Sequence, residues 1–184
     1  MKHSLGSLAA VAALAATTST EAVVIVSNFS NVDISSGVTE VDIDGNGQVD
    51  FEINSSFAEI ASFTGGEIVV DGTFISMAPL TEGSLINSGA NYNSAANFNS
   101  FTGDINGSIA FAGFLFQRDA QTHYAWLEFS FADETFSSGT LIGGAWESQA
   151  NTAISAGAIP EPSQFALVGG AFALSLIGLR RRRG

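Results

Sequence analysis

The sequence predicts an all-β, antiparallel domain of the β-sandwich or jelly-roll kind, set between an N-terminal signal peptide and a C-terminal transmembrane helix. Three observations lead to this. Short runs of β-branched and aromatic residues recur through the middle of the 184-residue chain, separated by Gly, Asn, Asp and Ser. Several of these runs alternate apolar and polar residues with a period of two, as half-buried strands do. Both ends, by contrast, are apolar runs with a basic flank, the form of processing segments rather than of a core.

The elements can be justified in chain order. Met1-Lys2-His3 is a short basic stretch, and Leu5 to Ala16 is an Ala/Leu-rich apolar run. Thr20-Glu21-Ala22 places small residues where a signal peptidase reads, so cleavage after Ala22 is expected, with Ala15 or Ala16 as alternatives. Val23-Val24-Ile25-Val26 is β-branched and opens the domain, which spans residues 23–157. Val49-Asp50-Phe51-Glu52-Ile53 alternates apolar and acidic residues. Phe57 to Phe63 fits a short turn of helix. Ile68-Val69-Val70 and Phe74-Ile75-Ser76-Met77 form a pair joined through Asp71-Gly72-Thr73, a hairpin-type turn.

Residues 83–104 are rich in Asn, Ser and Gly and carry Tyr92, Phe98 and Phe101, which fits a long loop pinned by its own aromatics. Ile109 to Phe116 is Phe-rich and contains Gly113. From Tyr124 to Phe131, one face carries Ala125, Leu127, Phe129 and Phe131, and the other Tyr124, Trp126, Glu128 and Ser130. Leu141 to Trp146 is a further strand. Pieces of this length and spacing favour a sandwich or jelly roll.

Charge is distributed unevenly. Residues 23–162 hold seventeen acids and one base, Arg118, a formal charge of −16. Such a surface repels nucleic acid phosphates and anionic lipid, so no nucleic-acid partner is expected. It suits divalent cations, cationic partners or plain solubility. The chain has no cysteine, so stability must come from an apolar core or a bound metal. A segment of about 135 residues is large enough for one such core.

One stretch carries recognisable chemistry. Asp42-Ile43-Asp44-Gly45-Asn46-Gly47-Gln48-Val49-Asp50 matches the first nine positions of an EF-hand-type calcium loop. Asp42, Asp44 and Asn46 supply side-chain oxygens, Gln48 a backbone carbonyl, and Asp50 a direct or water-mediated contact. Gly47 sits where the loop bends. The twelfth position, which needs a bidentate Glu, is Ile53, with Glu52 one residue early. Strand-like sequence on both sides leaves a second reading open, a hairpin whose turn is Asp44-Gly45-Asn46-Gly47 with no metal. Calcium bound here would act structurally.

Other candidates are plainer. His123 is the single histidine of residues 23–162, and no G-x-S-x-G motif accompanies it, so a strand-edge hydrogen bond is its expected role. Glu128 with Asp133 or Glu134 is the carboxylate pair for a glycoside-active reading. Tyr124, Trp126 and Trp146 suggest a carbohydrate-stacking surface; burial of both faces of the strand is the alternative.

The last segment, 158–184, holds Pro160-Glu161-Pro162, an uncharged apolar run from Phe165 to Leu179, and Arg180, Arg181, Arg182 and Arg183. The 15-residue run is short of the ~20 residues that span a bilayer core. Ser163, Gln164 and snorkelling arginines bring it near the lower limit, and the arginines place that end in the cytoplasm. This arrangement resembles the PEP-CTERM sorting signal, a segment also labelled an ice-binding protein C-terminal domain. The T-x-T arrays of an ice-binding face are absent.

The resemblance implies a protein exported by a Gram-negative bacterium and handled by signal peptidase and then by an exosortase. It implies an inner-membrane intermediate held by the C-terminal helix, then residence at the cell surface or in an extracellular polysaccharide matrix. The function expected from the whole is that of a non-enzymatic surface or matrix component. A carbohydrate-binding module retaining exopolysaccharide is the alternative, and a glycoside-active enzyme the third reading.

Overall fold

A computed structural model of the chain describes residues 22–27, 29, 31–63, 65–71, 76–98, 109–132 and 139–160. Its strands in chain order are β1 (Val24–Ser27), β2 (Val32–Asp33), β3 (Val38–Val41), β4 (Phe51–Asn54), β5 (Glu59–Ser62), β6 (Glu67–Val69) and β7 (Leu85–Ile86), followed by β8 (Tyr92–Asn93), β9 (Ala95–Asn97), β10 (Ile109–Arg118), β11 (Gln121–Phe131), β12 (Gly139–Glu147) and β13 (Ile154–Ser155). All strand pairs are antiparallel, and no helix occurs among the described residues.

The longest strands form where Phe, Ala and β-branched residues alternate most regularly. β10, β11 and β12 make a meander at the centre of a seven-stranded sheet ordered β1-β12-β11-β10-β6-β8, with β2 also paired to β12. The β10–β11 connection is two residues, Asp119 and Ala120, with φ of 52° and 58°. Two left-handed residues in a row match the strand twist, which is why such turns close hairpins. A second sheet is ordered β3-β4-β5-β9, and β13 pairs with β7.

Side-chain alternation assigns the two faces of the meander. Ala125, Leu127, Phe129 and Phe131 of β11 join one apolar cluster with Phe114 of β10 and Phe51 of β4. The Phe51 and Phe114 rings stand 4.7 Å apart, and Phe98 meets Phe129 edge-on at 5.5 Å. This cluster joins the large sheet to the four-stranded one. Tyr124 and Trp126 point the other way, into a second cluster with Ile86, Ala145, Ile154 and Ala156. The large sheet is therefore covered on both faces over its central part.

Two expectations change. Phe57 to Phe63 is not helical: Ser55–Ala58 is a turn and β5 follows, because pairing Ile60 with Ile53 buries both. Phe57 and Phe63 stay exposed. Residues 83–98 are not a plain loop but contain β7, β8 and β9. Aromatic pinning does operate there: the Tyr92 hydroxyl donates to the Asn87 carbonyl at 2.8 Å, and Phe98 is fully buried. The expected turn at Asp71 is framed by an antiparallel bridge between Val70 and Met77, while residues 72–75 lie outside the described set.

Among the described residues no helix is long and apolar enough to cross a membrane. The expected signal peptide, up to Glu21, and the expected sorting segment, from Glu161 onward, lie outside them; Pro160 is exposed.

Candidate metal centre

The β3–β4 hairpin closes with Val41 opposite Phe51, and the Asp50 amide donates to the Val41 carbonyl at 2.9 Å. What remains is a nine-residue loop, Asp42 to Asp50. Its composition dictates its shape. Gly45 and Gly47 take φ of 71° and 86°, a region costly for other residues. Asp42 organises the turn from one end. Its Oδ1 accepts from the Gly45 and Asn46 amides at 2.8 and 3.1 Å, and its Oδ2 from the Gly47 amide at 2.7 Å. Asp44 Oδ1 accepts from the Asn46 amide at 3.0 Å, and Asn46 Oδ1 from the Gln48 amide at 2.7 Å. These are the local side-chain-to-backbone bonds that Asx residues make in turns.

Asp42, Asp44 and Asp50 each bring a carboxylate oxygen to within 4.8 Å of the others. Ligands on opposite sides of one Ca²⁺, at about 2.4 Å each, are separated by about that distance. Asp50 is 1 % exposed, and its Oδ2 accepts from the Ile43 amide at 2.9 Å. Burial, aided by the negative charges of Asp44 and Asp42, raises its pKa from 3.8 to about 6 against the lowering effect of the Ile43 bond. Three carboxylates crowded in this way favour a cation between them. An all-oxygen set without His or Cys suits a hard ion, calcium before any transition metal.

Asn46 is tied into the turn by its own side chain. The Asn46 carboxamide turns its Nδ2 toward Asp44 Oδ2, at 3.0 Å, and Gln48 is exposed. Ile53, at the twelfth position, is a buried core residue, so the hairpin closes the loop with Asp50 at the ninth.

Arg118 is the residue that sequence reasoning missed. It lies at the end of β10, where its Nη1 approaches Asp44 Oδ2 at 3.2 Å and the Asp44 carbonyl at 3.4 Å. Its guanidinium also sits 4.8 Å from the Trp146 ring centroid. The signal was available in part, because Arg118 is the single base of residues 23–162.

The aromatic surface is corrected. Tyr124, Trp126 and Trp146 are each only 4 % exposed. Trp146 faces the first cluster and the other two face the second, so they cannot form one sugar-stacking platform. Phe111 covers Trp126 edge-on at 5.5 Å, Tyr92 stacks on Tyr124 at 6.5 Å, and Phe116 meets Trp146 at 5.7 Å.

His123 is buried with Nδ1 2.8 Å from the Glu147 carbonyl, which makes Nδ1 the protonated nitrogen of a packed, backbone-bonded imidazole. Glu128 has its carboxyl pKa raised by burial; Asp133 and Glu134 lie outside the described residues. No family model, no curated protein and no solved structure matches the chain.

Proposed function

We propose that this protein is an exported cell-surface or matrix component, structural rather than enzymatic, whose β-sandwich is clipped by calcium at the Asp42–Asp50 loop. The observation that carries the calcium reading is the meeting of the Asp42, Asp44 and Asp50 oxygens on a nine-residue hairpin loop. The ion would be held by those carboxylates, with the Gln48 carbonyl as a further oxygen. Its chemistry there is charge neutralisation: it links β3 to β4 and offsets the cost of a buried Asp50 carboxylate beside the charges of Asp44 and Asp42. Two sheets sharing one apolar cluster support the sandwich. Export and exosortase sorting rest on the signal-like N-terminus and on the run from Pro160 to Arg183.

Thermal unfolding with and without chelator tests the clip. At calcium a hundredfold above Kd, binding contributes about 2.7 kcal/mol, or roughly 5–10 °C in Tm for a domain of this size. EDTA is expected to remove that increment, and Asp44→Ala to abolish the difference between the two conditions. Identical melting curves with calcium and with EDTA overturn the reading.

A further inference from the structure

The outer strand of the large sheet has an open edge among the described residues. β1 ends the sheet order and reads Val24-Ile25-Val26-Ser27, with no charge and no proline. Edge strands are normally blunted by such residues. β3 carries Glu40, and β8 is only two residues long.

The pairing shows which backbone groups are open. The Ser148 amide donates to the Val23 carbonyl at 3.0 Å, so Val23–Ser148 is a hydrogen-bonded pair. By alternation Ile25–Trp146 is another, and the N–H and C=O of Val24 and Val26 point away from β12. They meet no strand among the described residues. Val26 is 50 % exposed.

Beside this edge lies a hollow of about 290 Å³ between β1 and the β3–β4 loop. Ile25, Val26, Phe29 and Trp146 are among its apolar lining residues, and Asp42 and Asp44 are its acidic ones. The volume is at the foot of the range for small-molecule pockets and suits one or two side chains rather than a sugar chain. Arg118 already pairs with Asp44, but no cation pairs with Asp42 among the described residues. The domain around it carries −16.

We propose that β1 docks an extended peptide strand carrying an apolar residue and a basic residue two positions apart. Residues two apart in a strand lie on one face, roughly 7 Å from each other, so both reach the hollow. The apolar side chain seats against Ile25 and Trp146, the basic one against Asp42, and the peptide backbone pairs with Val24 and Val26. Charge complementarity selects this occupant over a second copy, since two copies of so acidic a domain repel each other.

The test uses the full-length chain in EDTA and a blocked heptapeptide, Thr-Lys-Thr-Val-Thr-Lys-Thr, which serves either strand direction. Slowed amide exchange at Val24 and Val26, with saturable binding, is expected. Replacing the peptide's lysines by glutamate is expected to weaken binding at least tenfold. Val26→Pro removes one outward N–H, which corresponds to about a tenfold loss. Val26→Lys, at the same exposed position, covers the case in which proline disturbs folding, and is expected to weaken binding similarly. No protection at Val24 and Val26, equal binding of the glutamate peptide, or full binding by both Val26 variants overturns the proposal. Concentration-dependent protection of the same amides without peptide assigns the edge to a second copy instead. Repeating the titration in calcium separates this proposal from the metal reading. A loop that binds calcium makes the lysines count for less, whereas peptide binding unchanged by calcium leaves the edge intact and counts against the clip.

Discussion

Asp50 is the residue on which the chemistry of the loop turns. It is 1 % exposed, lies beside two other carboxylates, and has its pKa raised from 3.8 to about 6. The folded state therefore keeps a proton that the unfolded chain has already released. In metal-free protein this contribution favours folding most at pH below about 4, declines as pH rises, and is lost above about 6. Asp50→Asn removes it. In EDTA, the stability of the wild type relative to Asp50→Asn is expected to fall between pH 4 and 6.5, measured by urea unfolding. Calcium favours the ionised carboxylate and should flatten the slope. A difference constant across that range would mean that Asp50 titrates as an ordinary exposed acid. Arg118 relieves part of the same crowding, but it pairs with Asp44, and no cation pairs with Asp42 or Asp50 among the described residues.

The hairpin β10–β11 and its partner β12 form the element from which the rest hangs. β12 contains an irregularity that organises both faces. Glu128 pairs with Gly143 and Phe129 with Leu141, so Ile142 is an extra residue, a bulge. Leu141 and Trp146 are an odd number of positions apart, yet both face the first cluster, because the bulge absorbs one step. Gly144 lies just beyond. A Cβ there would stand 2.7 Å from Leu127 Cδ2 and 3.0 Å from the Trp126 carbonyl oxygen. The side chain can move aside, but the backbone oxygen cannot. Gly144→Ala is expected to cost about 1–3 kcal/mol. Gly143→Ala, whose nearest contact is Glu128 Oε2 at 3.6 Å, should cost under about 1 kcal/mol. Chemical denaturation of the two variants checks the contrast, and equal losses would remove the close approach at Gly144 as its cause.

For the whole molecule, two sheets enclose a Phe-rich core, and of the acids among the described residues only Asp50 and Glu147 are buried. Net charge of this size makes copies of the domain repel one another and repel nucleic acid phosphates. The exosortase proposal has its own measurement. In a host carrying an exosortase, the wild type is expected at the surface with the mass of its C-terminal segment lost. The triple substitution Pro160→Ala, Glu161→Ala and Pro162→Ala should leave the uncut chain in the inner-membrane fraction. Surface display of the uncut variant would show that the Pro-Glu-Pro motif is not read.

Much of this was legible in the sequence because it depends on local rules. A period of two marked the faces of β11, and glycines at Gly45 and Gly47, with Asp and Asn between, marked a tight acidic turn. What lies opposite a face is not local. Tyr124 and Trp126 read as an outer surface, but β7 and β13, distant in sequence, fold over that side. The bulge at Ile142 changes the parity of Trp146 and sends it to the other core. Arg118 meets Asp44 across 74 residues. Strand periodicity determined which side chains point together; only the tertiary structure decided what covers them, because burial depends on contacts that no short window of sequence contains.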